Sequence, residues 1–209
     1  ALESLDKHKD RFTADKYWKI RKNIADKVEQ VGRQYLKIQE IKSLYINYQK
    51  ESEYNGYKKL DIDKLASVVG YYSNFINDLY KVKLMKLLWY TDALFYKRYK
   101  KSMTGLVYKH MPLGALPVAY DEILFLKTVN IVEEMIYNDI AYKIVPNKDV
   151  NISDFTLEEL NVLETVACFF KDFTSKEIID YMHKEKAYLE TEPYQIIPYG
   201  LASCLNDLK

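Results

Sequence analysis

The chain has 209 residues, of which 48% are hydrophobic and 29% are charged, and its formal net charge at pH 7 is +1. This is enough apolar material for one sizeable core with an appendage, or for two small domains. No uncharged apolar run approaches the roughly 18 residues that a membrane span needs. Two separated cysteines and three scattered histidines form neither a disulfide framework nor a zinc-ligand pattern. We therefore expect a cytoplasmic globular protein with no metal, no cofactor and no membrane partner.

The two halves of the chain carry opposite charges. Residues 1–101 hold 22 Lys and Arg against 13 acids, which is +9, whereas residues 102–209 hold 9 Lys against 17 acids, which is −8. Two interpretations remain open. Either the halves attract each other within the fold, or the acidic surface recruits a basic partner.

Residues 1–57 are predicted to form a helical extension or linker. From Tyr17 to Tyr48, apolar residues recur about every 3.4 positions, which is the narrow seam of a coiled coil. Gly32 offers a place to split this pattern into two helices. The seam predicts either an intramolecular hairpin packed on the body or a coil that joins two copies. Its lysine-rich face is compatible with DNA binding, so the alternative function is that of a transcriptional regulator acting through this basic part.

The second domain is predicted to span residues 58–209. Residues 49–60 are polar and contain an Asn-Gly turn signal, which places the boundary there. Asp61 can cap a helix over residues 61–77, in which apolar residues recur at steps of three and four from Ile62 to Ile76.

Residues 82–99 are predicted to form a central helix around which the other elements pack. The apolar surface consists of Leu84, Leu88, Thr91 and Phe95 on one stripe, with Met85, Trp89 and Tyr96 beside it. Lys83, Lys86, Tyr90 and Lys97 are assigned to a solvent-exposed edge of this helix. Asp92 has apolar neighbours one turn away on each side, so its carboxylate requires a hydrogen-bond partner.

The pattern changes after Lys101. Residues 104–112 alternate as a short strand, Gly114 and Pro117 bracket a loop, and residues 118–127 are predicted to be helical. Two alternating runs, 130–137 and 140–146, then predict a β-hairpin that turns at Asn138-Asp139. This hairpin is expected to join the first strand in one small sheet.

The last third contains two helix starts. Thr156 with Glu159, and Thr174 with Glu177, have the spacing of capping boxes. The first predicts a helix over residues 157–170. Residues 171–186 contain four lysines and four acids. This segment therefore carries no net charge and is poorly suited to binding the phosphates of DNA. A final helix is predicted to end near Leu208. The fold class is thus mainly α (α+β), with a small antiparallel sheet of about three strands.

Three blocks of this sequence resemble the Panacea domain, also described as the SocA-like or phage-associated domain, over roughly residues 60–207. The first is Lys83-Leu-Met-Lys-Leu-Leu-Trp-Tyr-Thr-Asp92. The second is Thr104-Gly105 followed by His110-Met-Pro112 and Gly114-Ala-Leu-Pro117, with Ala115 where the family usually has Pro. The third is His183-Lys-Glu-Lys-Ala-Tyr-Leu-Glu-Thr191 with Ile197-Pro-Tyr199, and here Tyr188 replaces the usual Trp.

The resemblance implies a non-enzymatic antitoxin that neutralises, by direct binding, a toxin encoded beside it. A recurring class of such toxins is the small alarmone-synthetase-like nucleotide pyrophosphokinases. Many relatives carry a helix-turn-helix ahead of the domain, so we expect DNA binding only through a segment preceding Ala1. The expected assembly is a hetero-oligomer with the toxin, or a homodimer through the seam.

The predicted site has no catalytic residues. Loops carry recognition more often than helix cores do, so the partner-binding residues are predicted to be Tyr108, Lys109, His110, Met111 and Tyr120. The residues predicted to maintain the structural motif are Leu84, Leu87, Leu88, Trp89, Tyr90, Asp92, Gly105, Pro112, Gly114, Pro117 and His183. His110 and His183 are expected to be structural histidines, with nothing in the sequence to place them together.

Overall fold

A computed structural model describes residues 1–136, 138–205 and 208, and within these ranges it contains seven α-helices and four β-strands. The helices are α1 (Leu2–Asp6), α2 (Ala14–Leu44), α3 (Ile62–Phe75), α4 (Lys81–Tyr99), α5 (Leu157–Phe170), α6 (Ser175–Met182) and α7 (Lys186–Leu189). The strands are β1 (Tyr108–Met111), β2 (Gly114–Pro117), β3 (Val129–Ile136) and β4 (Asp139–Pro146). The mainly helical class with little sheet is confirmed.

Helix α4 is the centre of the molecule, as predicted. Leu84, Leu87, Leu88, Trp89 and Tyr90 are all fully buried. The helix packs against α3, α5, α6 and β2, and against the final 3-10 helix Tyr199–Cys204. Because burial of apolar surface stabilises a fold by about 25 cal/mol per Å², such an enclosed helix makes a large contribution to stability.

The predicted solvent-exposed edge of α4 is wrong at three of its four positions, because those side chains are buried. Lys83, Lys86 and Tyr90 are buried, because β2 and α6 cover that side of the helix. Each lysine extends its aliphatic chain between buried side chains, and its Nζ donates a hydrogen bond to a backbone carbonyl oxygen. Lys83 reaches Lys171 O at 2.8 Å, and Lys86 reaches Ala115 O at 2.7 Å. Buried polar groups need such partners.

Helix α2 is continuous through Gly32, so the predicted split and the intramolecular hairpin within residues 17–48 are both wrong. A Cβ at Gly32 would meet nothing within 4 Å, and thus no packing forces a break there. At its start, the Tyr17 hydroxyl donates to Asp6 of α1 at 2.6 Å. At its end, Ile41 and Tyr45 enter the main core.

The polar segment 49–60 is tied to the body by hydrogen bonds. The buried Asn55 amide donates to Tyr48 O and Lys50 O, and Ser102 N–H donates to Gly56 O at 2.8 Å. Asp61 caps α3 by accepting from Lys64 N–H at 2.9 Å, which confirms the predicted helix start. The division of the chain between residues 57 and 58 stays a prediction.

The β-structure differs from the prediction in four ways. In the described part of the chain, the four strands form two separate antiparallel sheets, β1 with β2 and β3 with β4, rather than one of about three strands. The other edge of β1 is bridged by Lys109 to Ile196, which lies outside the named strands. The first strand is shorter than predicted. Residues 114–117 are a strand instead of a loop, since Ala115 pairs with His110. Residues 118–127 contain only a 3-10 helix, Glu122–Phe125, because Leu126 turns to extended backbone and leads into β3.

The hairpin β3–β4 is confirmed, although its register pairs Ile136 with Asp139. Asp139 therefore lies in the strand rather than in the turn, and the predicted strand residue 137 lies outside the described residues.

Both predicted capping boxes are confirmed, at Thr156 and at Thr174. The predicted final helix is a 3-10 helix that stops at Cys204, and residues 206, 207 and 209 are again outside the description. Among the described helices, none is both long and apolar enough to cross a membrane.

Candidate partner-binding site

The carboxylate of Asp92 fixes the segment that leads into β1. It accepts from Thr104 N–H at 2.7 Å, from Thr104 Oγ1–H at 2.6 Å and from the Tyr108 hydroxyl at 2.8 Å. The predicted partner of this acid is thereby confirmed. Burial outweighs these bonds and raises the pKa of the Asp92 carboxyl above its usual value. Asp92 is fully enclosed, so its role is to position the chain.

Gly105 and two tyrosines complete this anchor. A Cβ at Gly105, which has φ +79°, would collide with the backbone of Lys59. The Tyr45 hydroxyl accepts from Val107 N–H at 3.1 Å, and the Tyr199 hydroxyl donates to Leu106 O at 2.8 Å. The start of β1 is thus held by α4, by the residue that follows α2 and by the C-terminal 3-10 helix.

The β1–β2 hairpin turns at Pro112-Leu113 and lies against the first half of α4. Gly114 has φ +95°, and a Cβ there would approach Met182 Cγ to 2.8 Å and Lys86 Cε to 3.2 Å. Glycine is therefore needed both for the backbone conformation and for the close approach of the hairpin to α4. The Lys86 ammonium then ties the two together through Ala115 O.

Two histidines of different motif blocks meet at one tyrosine. The Tyr188 ring lies 3.9 Å from the His110 ring and 4.5 Å from the His183 ring, measured between centroids. His110 Nδ1–H donates to Thr191 O at 2.6 Å, and His183 Nε2–H donates to Pro112 O at 3.1 Å, because a carbonyl oxygen can only accept. The expectation that nothing places these histidines together is corrected. They clamp the hairpin turn to the α6–α7 region.

An open apolar groove of about 440 Å³ lies between α4 and this hairpin. Its lining residues are Lys81, Val82, Met85 and Lys86 from α4, and Met111, Pro112, Leu113, Gly114, Leu116 and Tyr120 from the hairpin side. Leu113 at the rim is 55% exposed. Two flexible methionines and two leucines make a surface that adapts to an inserted apolar side chain.

Charge in the groove comes from two lysines. Lys86 is 1% exposed, and its burial lowers the pKa of its ammonium to about 7. Lys81 pairs with Asp121 at 2.5 Å, and its ammonium lies 4.8 Å from the centroid of the Tyr120 ring. In the ranges that the structure describes, no group of three or more His, Cys, Asp or Glu residues is placed to hold a metal ion. The groove is suited to binding an apolar group beside a cation.

The predicted partner-binding residues divide into two sets. Met111 and Tyr120 line the groove, and Lys109 is exposed on β1. Tyr108 is fully buried on Asp92, and His110 is largely buried against Tyr188, so neither side chain presents a contact surface and both assignments are corrected.

The sequence prediction missed Lys86, Met85, Leu113 and Leu116 as lining residues. No local signal identified Lys86, because β2 and α6, which cover it, are remote in sequence. The residues assigned to the structural motif belong to the core or to the groove wall, except His183, which is half-buried behind the hairpin turn.

Comparison with known proteins gives one family. The model described as "Antitoxin SocA-like, Panacea domain" matches residues 84–188, which is half of the chain. The match contains the hairpin, Asp92 and the histidine clamp. No significant match was found among curated proteins or among solved structures.

Proposed function

Because the chain belongs to the SocA-like Panacea antitoxin family, we propose that it neutralises a cognate toxin by direct binding through the groove between α4 and β1–β2. The observation that supports this most is the groove itself. It is a concave apolar surface with an exposed leucine at its rim, and all of its lining residues except Lys81 and Val82 lie inside the segment that matches the family. Pockets that take a buried apolar anchor carry most of the energy of protein–protein binding.

The toxin is proposed to be a small alarmone-synthetase-like nucleotide pyrophosphokinase. An enzyme that handles ATP, GTP or tRNA must present basic surface to a polyanionic substrate. Residues 102–209 of this chain carry a net charge of −8. That acidic half would be attracted to the toxin's basic surface and would compete with its substrate. The assembly is then a hetero-oligomer of antitoxin and toxin, and the antitoxin needs no catalytic group.

DNA binding through the basic N-terminal part stays the alternative. Helix α2 carries eight Lys and Arg against four acids. Ion pairs within the helix, Arg33 with Glu29 and Lys37 with Glu40, already offset part of that charge. Direct binding of the toxin is therefore the better supported function.

The test changes the groove rim without disturbing the core. We expect Leu113→Glu to weaken toxin binding by about tenfold to a hundredfold, which corresponds to roughly 1.4–2.8 kcal/mol, and to remove protection of cells that express the toxin. The reason is that a carboxylate at the rim would have to be desolvated against an apolar anchor. The measurements are titration calorimetry with the toxin encoded beside the chain, and survival on co-expression.

The matched control is Leu157→Glu. Leu157 is 82% exposed at the start of α5, where an acid is favoured by the helix dipole, and it is not among the groove residues. It should leave the affinity unchanged. Equal affinities of the two variants would show that the toxin does not use this groove.

A further inference from the structure

The outer edge of β3 presents backbone groups to a cleft. Ile144 N–H of β4 donates to Leu79 O at 2.7 Å, which lies outside the hairpin. The backbone of Ile144 therefore points away from β3, and its cross-strand neighbour Ile131 must point away from β4. Glu133, two residues further along β3, has the same orientation because strand geometry repeats every second residue.

These backbone groups have no partner in the described part of the chain. The only strand that pairs with β3 there is β4, on the other edge. No further hydrogen bond reaches the N–H or C=O groups of Ile131 or Glu133 among the described residues. An edge with free donors and acceptors is a template for another strand.

The open edge faces a cleft of about 640 Å³ between α2 and the hairpin. The cleft is lined by both Asn130 and Ile131, whose side chains point to opposite faces of β3, so it reaches the strand edge. Leu124, Phe125 and Ile131 make one wall apolar. The facing wall, on α2, is polar.

The size of the cleft limits what can enter. The α2 wall runs from residue 26 to residue 34, which is about 12 Å at 1.5 Å per residue. An extended chain rises about 3.3 Å per residue, so about four residues of one strand fit. A second copy of this chain would have to insert a whole two-stranded ribbon beneath α2, for which the cleft is too small.

We propose that this cleft binds an extended segment of another protein, which adds to the edge of β3 as a third strand. Its main chain pairs with Ile131 and Glu133. Alternate side chains of the segment are apolar and meet Leu124 and Phe125, and the remaining ones are polar and meet α2. Strand addition of this kind takes affinity from the backbone and specificity from alternate side chains.

The cleft adjoins the groove described above. The Lys81 ammonium, which lines the groove, lies 5.7 Å from the ring centroid of Tyr142, which lines the cleft. One partner can therefore span both surfaces. The strand-binding proposal does not depend on the identity of that partner, since it follows from the edge and the cleft alone.

The experiment selects binders from a library of linear twelve-residue peptides displayed on phage and measures the affinity of the best synthetic peptide by fluorescence anisotropy. We expect enriched peptides to alternate apolar and polar residues. Glu133→Pro should lower the affinity at least tenfold, because proline removes the outward N–H and fills the position of the incoming strand. It should leave the β3–β4 ladder intact, since Glu133 makes no hydrogen bond to β4.

Met135→Pro is the matched control. Met135 lies on the same outer edge with the same backbone orientation, is 71% exposed and does not line the cleft. It should retain peptide affinity. Gln30→Trp, which fills the cleft from α2, should abolish binding independently of any effect on the strand, whereas Gln39→Trp on the far side of α2 should not. Failure to select any peptide, or equal affinities within either pair of variants, overturns the proposal.

Discussion

Lys86 is a basic residue buried in the core, where the apolar surroundings disfavour its charged form. Its ammonium is buried with Ala115 O as its hydrogen-bond acceptor, and burial lowers its pKa to about 7. The folded protein therefore holds this proton less tightly than the unfolded chain, in which a lysine titrates near 10.4. Between these two pKa values, the unfolded state binds more protons. The stability of the fold must then rise with pH across that window.

Lys86→Met tests this linkage. We expect the variant to be more stable than the natural protein at pH 7, because methionine fills a similar volume without a charge. The advantage should shrink as the pH rises from 7.5 to 9, by up to about 1.4 kcal/mol per pH unit. Urea unfolding at four pH values measures the difference, with the exposed Lys101→Met as the control. A difference that stays constant over this range would show that folding does not lower the pKa of Lys86.

The role of a residue could be predicted from the sequence where the side chains that surround it lie within one helical turn. Asp92 was predicted to need a partner from its apolar surroundings on α4, and the structure supplies Thr104 and Tyr108. Lys86 was assigned to solvent, because its cover comes from β2 and α6, which are remote in sequence. Tyr108 was assigned to the surface for the same reason. Its partner Asp92 lies 16 positions earlier in the chain.

Helix α2 presents an apolar stripe that nothing in the described chain covers. Val28, Val31 and Tyr35 lie on the predicted seam, and more than half of each side chain is exposed. The polar α2 residues that line the cleft lie on a different side of the helix. With the intramolecular hairpin excluded, the remaining prediction for the seam is that it joins two copies.

Val31→Glu tests whether the apolar seam of α2 joins two copies of the chain. We expect the natural chain to dimerise at micromolar concentrations and the variant to be monomeric, because paired carboxylates in a coiled-coil seam repel each other. Val31 is 55% exposed, so the melting temperature of the monomer should hardly change. Light scattering after size exclusion gives the mass. Asn23→Glu, an exposed change on a different side of α2 from Val28 and Tyr35, serves as the control. A monomeric natural chain would remove the seam as a dimer contact.

Elements with local signals were predicted well, and those set by distant contacts were not. The capping boxes at Thr156 and Thr174 fix helix starts through groups three residues apart. By contrast, Gly114 looked like a loop residue, yet it is in a strand because the hairpin must approach Met182 and Lys86. The run 118–127 forms only one 3-10 turn because it packs between α2 and β3.

The opposite charges of the two halves matter at the scale of the whole molecule. Ion pairs between them exist, such as Lys64 with Glu159 at 2.7 Å and Lys81 with Asp121 at 2.5 Å. Both halves thus attract each other within the fold, as one of the two interpretations expected. Many acids of the second half nevertheless remain exposed, among them Asp180 and Glu192. These are available to a basic partner, which is the other interpretation.

The double variant Asp180→Lys, Glu192→Lys separates the two interpretations. If the acidic surface steers the toxin, the association rate should fall several-fold at low salt, and its dependence on ionic strength should weaken, because attraction between oppositely charged proteins acts mainly on the encounter. Stopped-flow binding at several salt concentrations measures both quantities, with thermal unfolding to confirm the fold. Lys101→Glu, an exposed change of opposite sign in the first half, should not slow association. Unchanged rates in the double variant would mean that the acidic half serves the fold alone, and the toxin contact would then be expected on the basic half.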